Sequence, residues 1–331
     1  MLDQSPVRKG VTAEQAVKET IELAKYTDKL GYTRYWVSEH HNTGSLAGST
    51  PEVLIAYLAG QTKHIRVGSG GVMMPNHSAL KVAENFSMLE ALFPGRIDLG
   101  MGRAPGTDRL TAALLNPSNQ FREKDFVEQL FDLKNYFYDT AEPGTPQEKV
   151  RAIPQVQTVP AMWLLSSSGQ SGLFAAHFGM GFSFAHFINP IGGAQAVQMY
   201  RDRFQPSEEL NNPEANTAVF VFCSEDEEKI MRQQALMDYR FHQLERGGGL
   251  APIAYEDIKD YNYTTYDLER INYNRKRVIT GTPEEVKAKL TQMAEEYDID
   301  ELILVTITEF FEDRLESYRL LATEFELEER E

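Results

Sequence analysis

The chain has one cysteine, Cys223, in 331 residues. A lone thiol forms no internal disulfide, which fits a reducing cytoplasm. Its place after the apolar run Ala218–Phe222 reads as a buried strand residue rather than a nucleophile. Long apolar stretches are missing as well. No run of about 18 such residues exists, so no membrane span is expected, and the N-terminus has no signal-peptide core. Positive charge is scarce: 33 Lys and Arg face 49 Asp and Glu, a net charge of −16. That argues against a nucleic-acid binder, which needs clustered cations, yet permits a site for one small phosphate. Metal-ligand spacing is also absent. Glu39-His40-His41 is not His-x-His, and the remaining histidines form no His-x-x-x-His pair, so no metal site is expected.

What is present is alternation. Apolar strand-like runs are predicted at Met1–Asp3, Thr33–Ser38, Ile65–Ser69, Arg96–Gly100, Met162–Ser166, Phe182–His186, Val219–Cys223 and Glu301–Thr306. Helix-period segments lie between them. Thr50-Pro51-Glu52 and Thr282-Pro283-Glu284 place a hydroxyl, a proline and an acid where a helix begins. Eight strands alternating with helices predict an α/β fold with a parallel, doubly covered sheet. The count and the length favour a (β/α)8 TIM barrel over an open doubly wound sheet. One domain over residues 1–331 is expected. It carries a long loop at 102–120 and a loop insertion at about 246–281 that holds Tyr255, Tyr261, Tyr263, Tyr266 and Tyr273.

Strand ends of such a fold open on one face, and four motifs meet there. Glu39-His40-His41 ends a strand; neighbouring residues point to opposite sides, so one imidazole faces inward as a general acid or base or merely orients its loop. Gly68-Ser69-Gly70-Gly71 bares the backbone where something approaches it, or else forms a bulge. Arg103 follows Gly100-Met101-Gly102, where the third glycine of a dinucleotide fingerprint is out of place; this arginine suits a phosphate or a surface ion pair. Ser166-Ser167-Ser168-Gly169-Gln170-Ser171 precedes a helix and offers hydroxyls, free N–H groups and a positive dipole end to an anion. No Gly-x-Ser-x-Gly elbow is present.

With these motifs in this order, the chain resembles the bacterial luciferase-like family of flavin-dependent monooxygenases and oxidoreductases, from Leu2 to about Ala322. The residues that carry the resemblance are Trp36–His41, Val67–Pro75, Pro94–Gly100 and the serine-rich turn before Ala175-Ala176. The resemblance implies a barrel, a homodimer, and FMN bound at the C-terminal mouth. It makes His40 the active-site histidine, with Glu39 as its orienting partner. Gly70 and Gly71 become the pair whose peptide is cis and lies against the flavin, and Gln4 a polar neighbour of it. Arg103, Ser167, Ser168 and Ser171 become the phosphate site, Ser167 standing where luciferase has an acid. The implied reaction uses reduced FMN, delivered by a separate NAD(P)H:flavin reductase, and O2 on a small organic substrate. The tyrosine-rich segment departs from luciferase, so light emission is not implied. Two alternatives stay open: a deazaflavin-dependent hydride-transfer enzyme on the same barrel, and a non-catalytic flavin-binding protein.

Overall fold

A computed structural model of the chain describes residues 1–118, 120, 122–248 and 251–331. Asn119 of the expected 102–120 loop, and Gly249 and Leu250 of the expected 246–281 insertion, lie outside the described residues. Among the described residues the strands are β1 (Leu2–Asp3), β2 (Arg34–Val37), β3 (Arg66–Met73), β4 (Ile97–Gly102), β5 (Ala161–Ser166), β6 (Gly181–Ala185), β7 (Ala215–Cys223), β8 (Val278–Gly281) and β9 (Glu301–Val305). All ladders are parallel and run in chain order from β1 to β7. The second neighbour of β7 is shared: β9 pairs with Asn216–Phe220 and β8 with Phe220–Cys223. The eight expected strands are β1–β7 and β9, and they form the α/β barrel-type sheet. The curl brings β9 against β1, but no ladder joins these two, so the hydrogen-bonded sheet stays open at that seam.

Alternation along each strand divides the side chains between two cores. Tyr35, Val37, Val67, Leu99 and Leu164 pack outward under the helices. Leu2, Trp36, Trp163, Phe220, Ile303 and Val305 fill the interior. A polar floor closes the N-terminal end of that interior. Buried Asp98 accepts from Arg34, Arg66 and the Trp36 indole N–H, and Glu301 accepts from Arg34 and Asn216. Carboxylates and guanidiniums are thus paired where burial would otherwise be costly. A cavity inside the barrel must therefore open at the C-terminal ends of the strands.

Two expected loops carry more structure than their composition suggested. The 102–120 segment holds the helix Arg109–Leu115, whose N-cap Asp108 accepts from the Leu110 and Thr111 N–H groups. The 246–281 segment holds helices Tyr255–Ile258 and Thr265–Asn274 and then β8. Thr264 and Asp267 form a capping box for the second of these. The cap at Thr282 forms as expected, with its hydroxyl accepting from Glu285 N–H, whereas the Thr50 side chain makes no cap bond. No helix among the described residues is long and apolar enough to cross a membrane.

Candidate active site

A cavity of about 490 Å3 opens at the C-terminal strand ends. Gln4, His40, Gly70, Gly71, Arg103, Ser167, Ser168 and Ser171 all line it. They come from five different strand ends, those of β1 to β5, and only the curl of the sheet brings them together.

Glu39 does not line it. The strand alternation sends His40 to the cavity and Glu39 into a fully buried position behind it. There Glu39 accepts hydrogen bonds from Met73 N–H, Asn76 Nδ2, His77 Nε2 and His41 Nε2. The expected orienting contact from Glu39 to His40 is thus replaced by Ser38, whose Oγ lies 3.1 Å from His40 Nδ1. Burial pushes the Glu39 carboxyl up, but hydrogen bonds from His77, His41 and Met73 outweigh it and hold the group below the usual carboxylate range. The same contact raises His77 against the effect of its own burial. His40 is pushed below the ordinary histidine value, chiefly by burial, with Glu39 opposing and His41 assisting. His40 is therefore a neutral imidazole near pH 7, able to accept a proton.

The bare wall is β3. The Gly70–Gly71 peptide is cis, and the pairing with β4 shifts register between Gly70 and Val72. A Cβ on Gly70 would fall 2.8 Å from Leu2 Cδ1 and 2.9 Å from Trp36 Cβ. One on Gly71 would fall 2.7 Å from the Gly100 carbonyl oxygen. Packing alone thus requires glycine at both positions, and the result is a side-chain-free surface facing the cavity.

The polar wall joins Arg103 to the turn before the helix Gly169–Phe178. Arg103 Nη1 donates to Gln170 Oε1 at 2.7 Å and lies 3.7 Å from Glu123 Oε2. Ser168 is the N-cap, yet its side chain makes no cap bond. Its N–H instead donates to Ser166 Oγ. The Ser168 hydroxyl also lies 3.3 Å from Ser166 Oγ, and the turn as a whole stands at the positive helix end.

The opposite wall was not legible in the motifs. It consists of Phe187, Ile188, Met237, Arg240, Phe241, Leu244, Arg277, Ile303 and Ile307. Arg240 and Arg277 come from the helix Glu227–Glu245 and the turn before β8. Burial pushes Arg240 down to about 10, with Glu309 opposing. The signal that could have found this wall is the apolar stripe Met237, Phe241, Leu244 at helical spacing, interrupted by Arg240.

A parallel β/α barrel-type sheet whose cavity opens at the C-terminal ends of its strands defines a class, and the sequence comparison agrees. The chain belongs to the luciferase-like monooxygenase family, whose model matches residues 1–299, and is an enzyme of that class. It is similar to the protein YwcH of Bacillus subtilis (strain 168), at 47% identity over 98% of each chain. It is also similar to the N-acetyl-S-alkylcysteine monooxygenase of the same organism, at 35% identity over 97% of this chain and 96% of that one. Among solved structures, apo-MsnO8 superposes with a TM-score of 0.91 at 36% identity, covering 100% of this chain and 98% of the other. More distant structures share the fold. The oxygenating constituent of 3,6-diketocamphane monooxygenase from Pseudomonas putida, in complex with FMN, gives a TM-score of 0.69 at 18% identity over 97% and 95% of the chains. An F420-dependent secondary alcohol dehydrogenase gives 0.68 at 11% over 94% of each.

Proposed function

We propose that the chain is the oxygenase of a two-component system, taking reduced FMN from a separate NAD(P)H:flavin reductase and using O2 to oxygenate a small organic substrate. The observation that carries this is the union, in one cavity, of the bare Gly70–Gly71 backbone, the Arg103–serine wall and His40. The residues fit the group. The side-chain-free β3 surface admits a flat ring. The serine turn, helix N-terminus and Arg103 suit a phosphate dianion. Among the described residues no carboxylate lines the cavity itself; Glu123 stands beside it, 3.7 Å from Arg103.

When bound, reduced FMN supplies the electrons for oxygen activation. The chain's own residues do the rest. Arg103, Ser167, Ser168 and Ser171 would hold the phosphate end, and Gln4 would offer a polar group beside the ring. His40 accepts or returns a proton at Nε2, with Ser38 holding Nδ1. Met237, Phe241 and Ile307 exclude water. Glu39 acts as a positioning residue, tying the end of β2 to Met73–His77. The reading includes a cytoplasmic homodimer. Val53 and Tyr57 on the helix Pro51–Gln61 and Met88 and Leu92 on the adjacent helix Ala79–Leu92 are exposed apolar side chains that would form the subunit contact.

Titration with oxidised and reduced FMN, repeated in Arg103→Ala, tests this. Micromolar binding of reduced FMN that weakens about tenfold or more in the variant is expected, the loss of a charge-assisted contact. Selective binding of a reduced deazaflavin would move the cavity to hydride transfer. Flavin binding without oxygen uptake, across a substrate screen, would leave a non-catalytic carrier.

A further inference from the structure

The cavity holds more positive charge than its flavin reading uses. Arg103, Arg240 and Arg277 line it, and among the described residues no Asp, Glu or Lys does, in a chain of net charge −16. Arg103 stands with the serine turn. Arg240 and Arg277 stand apart from it, on the wall built by β7, β9 and the helix Glu227–Glu245. In ring order β3 and β7 are opposite one another, so this wall faces the bare glycine surface across the cavity.

Neither of these two arginines makes an ion pair among the described residues. Among the described residues the sole hydrogen-bond contact of the Arg240 side chain is a 4.0 Å approach to Met237 Sδ. Arg277 stacks 5.2 Å over the Phe241 ring, and its Nε is buried without a partner. Nearby carboxylates are already engaged. Glu245 accepts from Arg270 and Asn274, and Glu309 accepts from the Tyr255 N–H. Two partly buried guanidiniums without anions are costly to maintain unless an anion arrives. Around them the wall is apolar: Phe187, Met237, Phe241 and Ile307.

Resting on the reading of this cavity as an oxygenation site, we infer that Arg240 and Arg277 bind the carboxylate of an organic acid substrate, whose apolar remainder lies against Phe187, Met237, Phe241 and Ile307. A carboxylate fits this wall better than a phosphate. The hydroxyls and helix N-terminus that suit a phosphate all stand on the Arg103 side. The far wall offers guanidinium forks, which match a planar carboxylate in two-point fashion. With the acid held there, the carbon chain lies between the guanidiniums and the glycine surface. The arginines thereby decide which substrates are oriented for reaction.

Calorimetric titration with matched acids and amides tests the assignment. The pairs are octanoate with octanamide, and N-acetyl-S-butylcysteine with its primary amide. Each is measured with and without saturating FMN. The expected result is an acid of at least one pair binding about tenfold or more tighter than its amide. That preference should fall severalfold in Arg240→Met and in Arg277→Met and vanish in the double variant, with FMN affinity unchanged. Methionine keeps an apolar stem, and thermal melts identify any variant that fails to fold; the remaining single variant then decides. No acid preference in either pair, or a preference that survives the double substitution, overturns the inference. So does a loss of reduced-FMN affinity in place of acid preference, which would assign the guanidiniums to the flavin. The flavin reading fails separately: acid preference intact in protein that binds no FMN sinks the oxygenase and leaves the acid site.

Discussion

Glu39 and His77 are 38 residues apart in sequence, yet His77 Nε2 lies 2.9 and 3.0 Å from the two carboxylate oxygens of Glu39. This contact ties the end of β2 to the turn after β3, the two segments that carry His40 and the Gly70–Gly71 peptide. The pH dependence follows from the directions of the shifts. His77 is raised above 6.5 in the fold, so its contribution is complete below 6.5 and is lost as pH rises through the raised value. Glu39 is lowered below 4.5, so its contribution is present above 4.5 and is lost as pH falls through the lowered value. Glu39→Gln should therefore destabilise most between pH 4.5 and 6.5, by about 3 kcal/mol, the cost of breaking a buried pair. Urea unfolding of both proteins from pH 4 to 9 checks this; a difference that does not vary with pH would deny the ion pair.

His40 carries the opposite sign. Burial holds it below 6.5, so the neutral imidazole is the working form at pH 7. If it accepts a proton, turnover should be flat above pH 6.5 and fall only below it. His40→Ala should retain FMN binding and lose roughly 10²-fold or more in turnover, with the acid limb of the profile gone. Loss of FMN binding in parallel with turnover would make the residue structural.

The eight barrel strands were legible because each is an apolar run ending in small or polar residues. The cavity face was legible because its glycines and serines are concentrated at those ends. β8 was not: Arg275-Lys276-Arg277 before it reads as solvated charge, and four residues are too few to show a period. The role of Glu39 was missed for a different reason. Adjacency to His40 suggested a partnership, while the strand pleat sends the two side chains to opposite sides. Arg240 and Arg277 belong to no motif, and only the packing of the helix Glu227–Glu245 over the barrel mouth brings them to the cavity.

Gly71 is held by backbone, not by a flexible neighbour. The nearest atoms to an added methyl are the Gly100 carbonyl oxygen and carbon, at 2.7 and 2.9 Å. Neither can swing aside without disturbing the β3–β4 pairing. Gly71→Ala should cost about 1–3 kcal/mol of stability, as overpacking does, and should weaken FMN through displacement of the surface beneath the ring. Denaturant titration and FMN titration of one preparation read both effects. Wild-type values for each would show that the wall gives freely.

The exposed apolar face tests the assembly. Val53, Tyr57, Met88 and Leu92 are 50–70% exposed, and their two helices lie side by side. Scattered apolar side chains on a surface need no explanation, but four large ones exposed on two neighbouring helices fit a subunit contact. A symmetric pairing would bury each patch against its copy. Light scattering should then give twice the 37.5 kDa chain mass. Tyr57→Glu combined with Met88→Glu would place four uncompensated charges in the interface and should yield the single-chain mass. The cavity lies at the strand ends and includes neither residue, so FMN affinity should persist in the separated subunits. A native protein that already scatters as one chain would remove the dimer from the functional reading and leave the cavity unaffected.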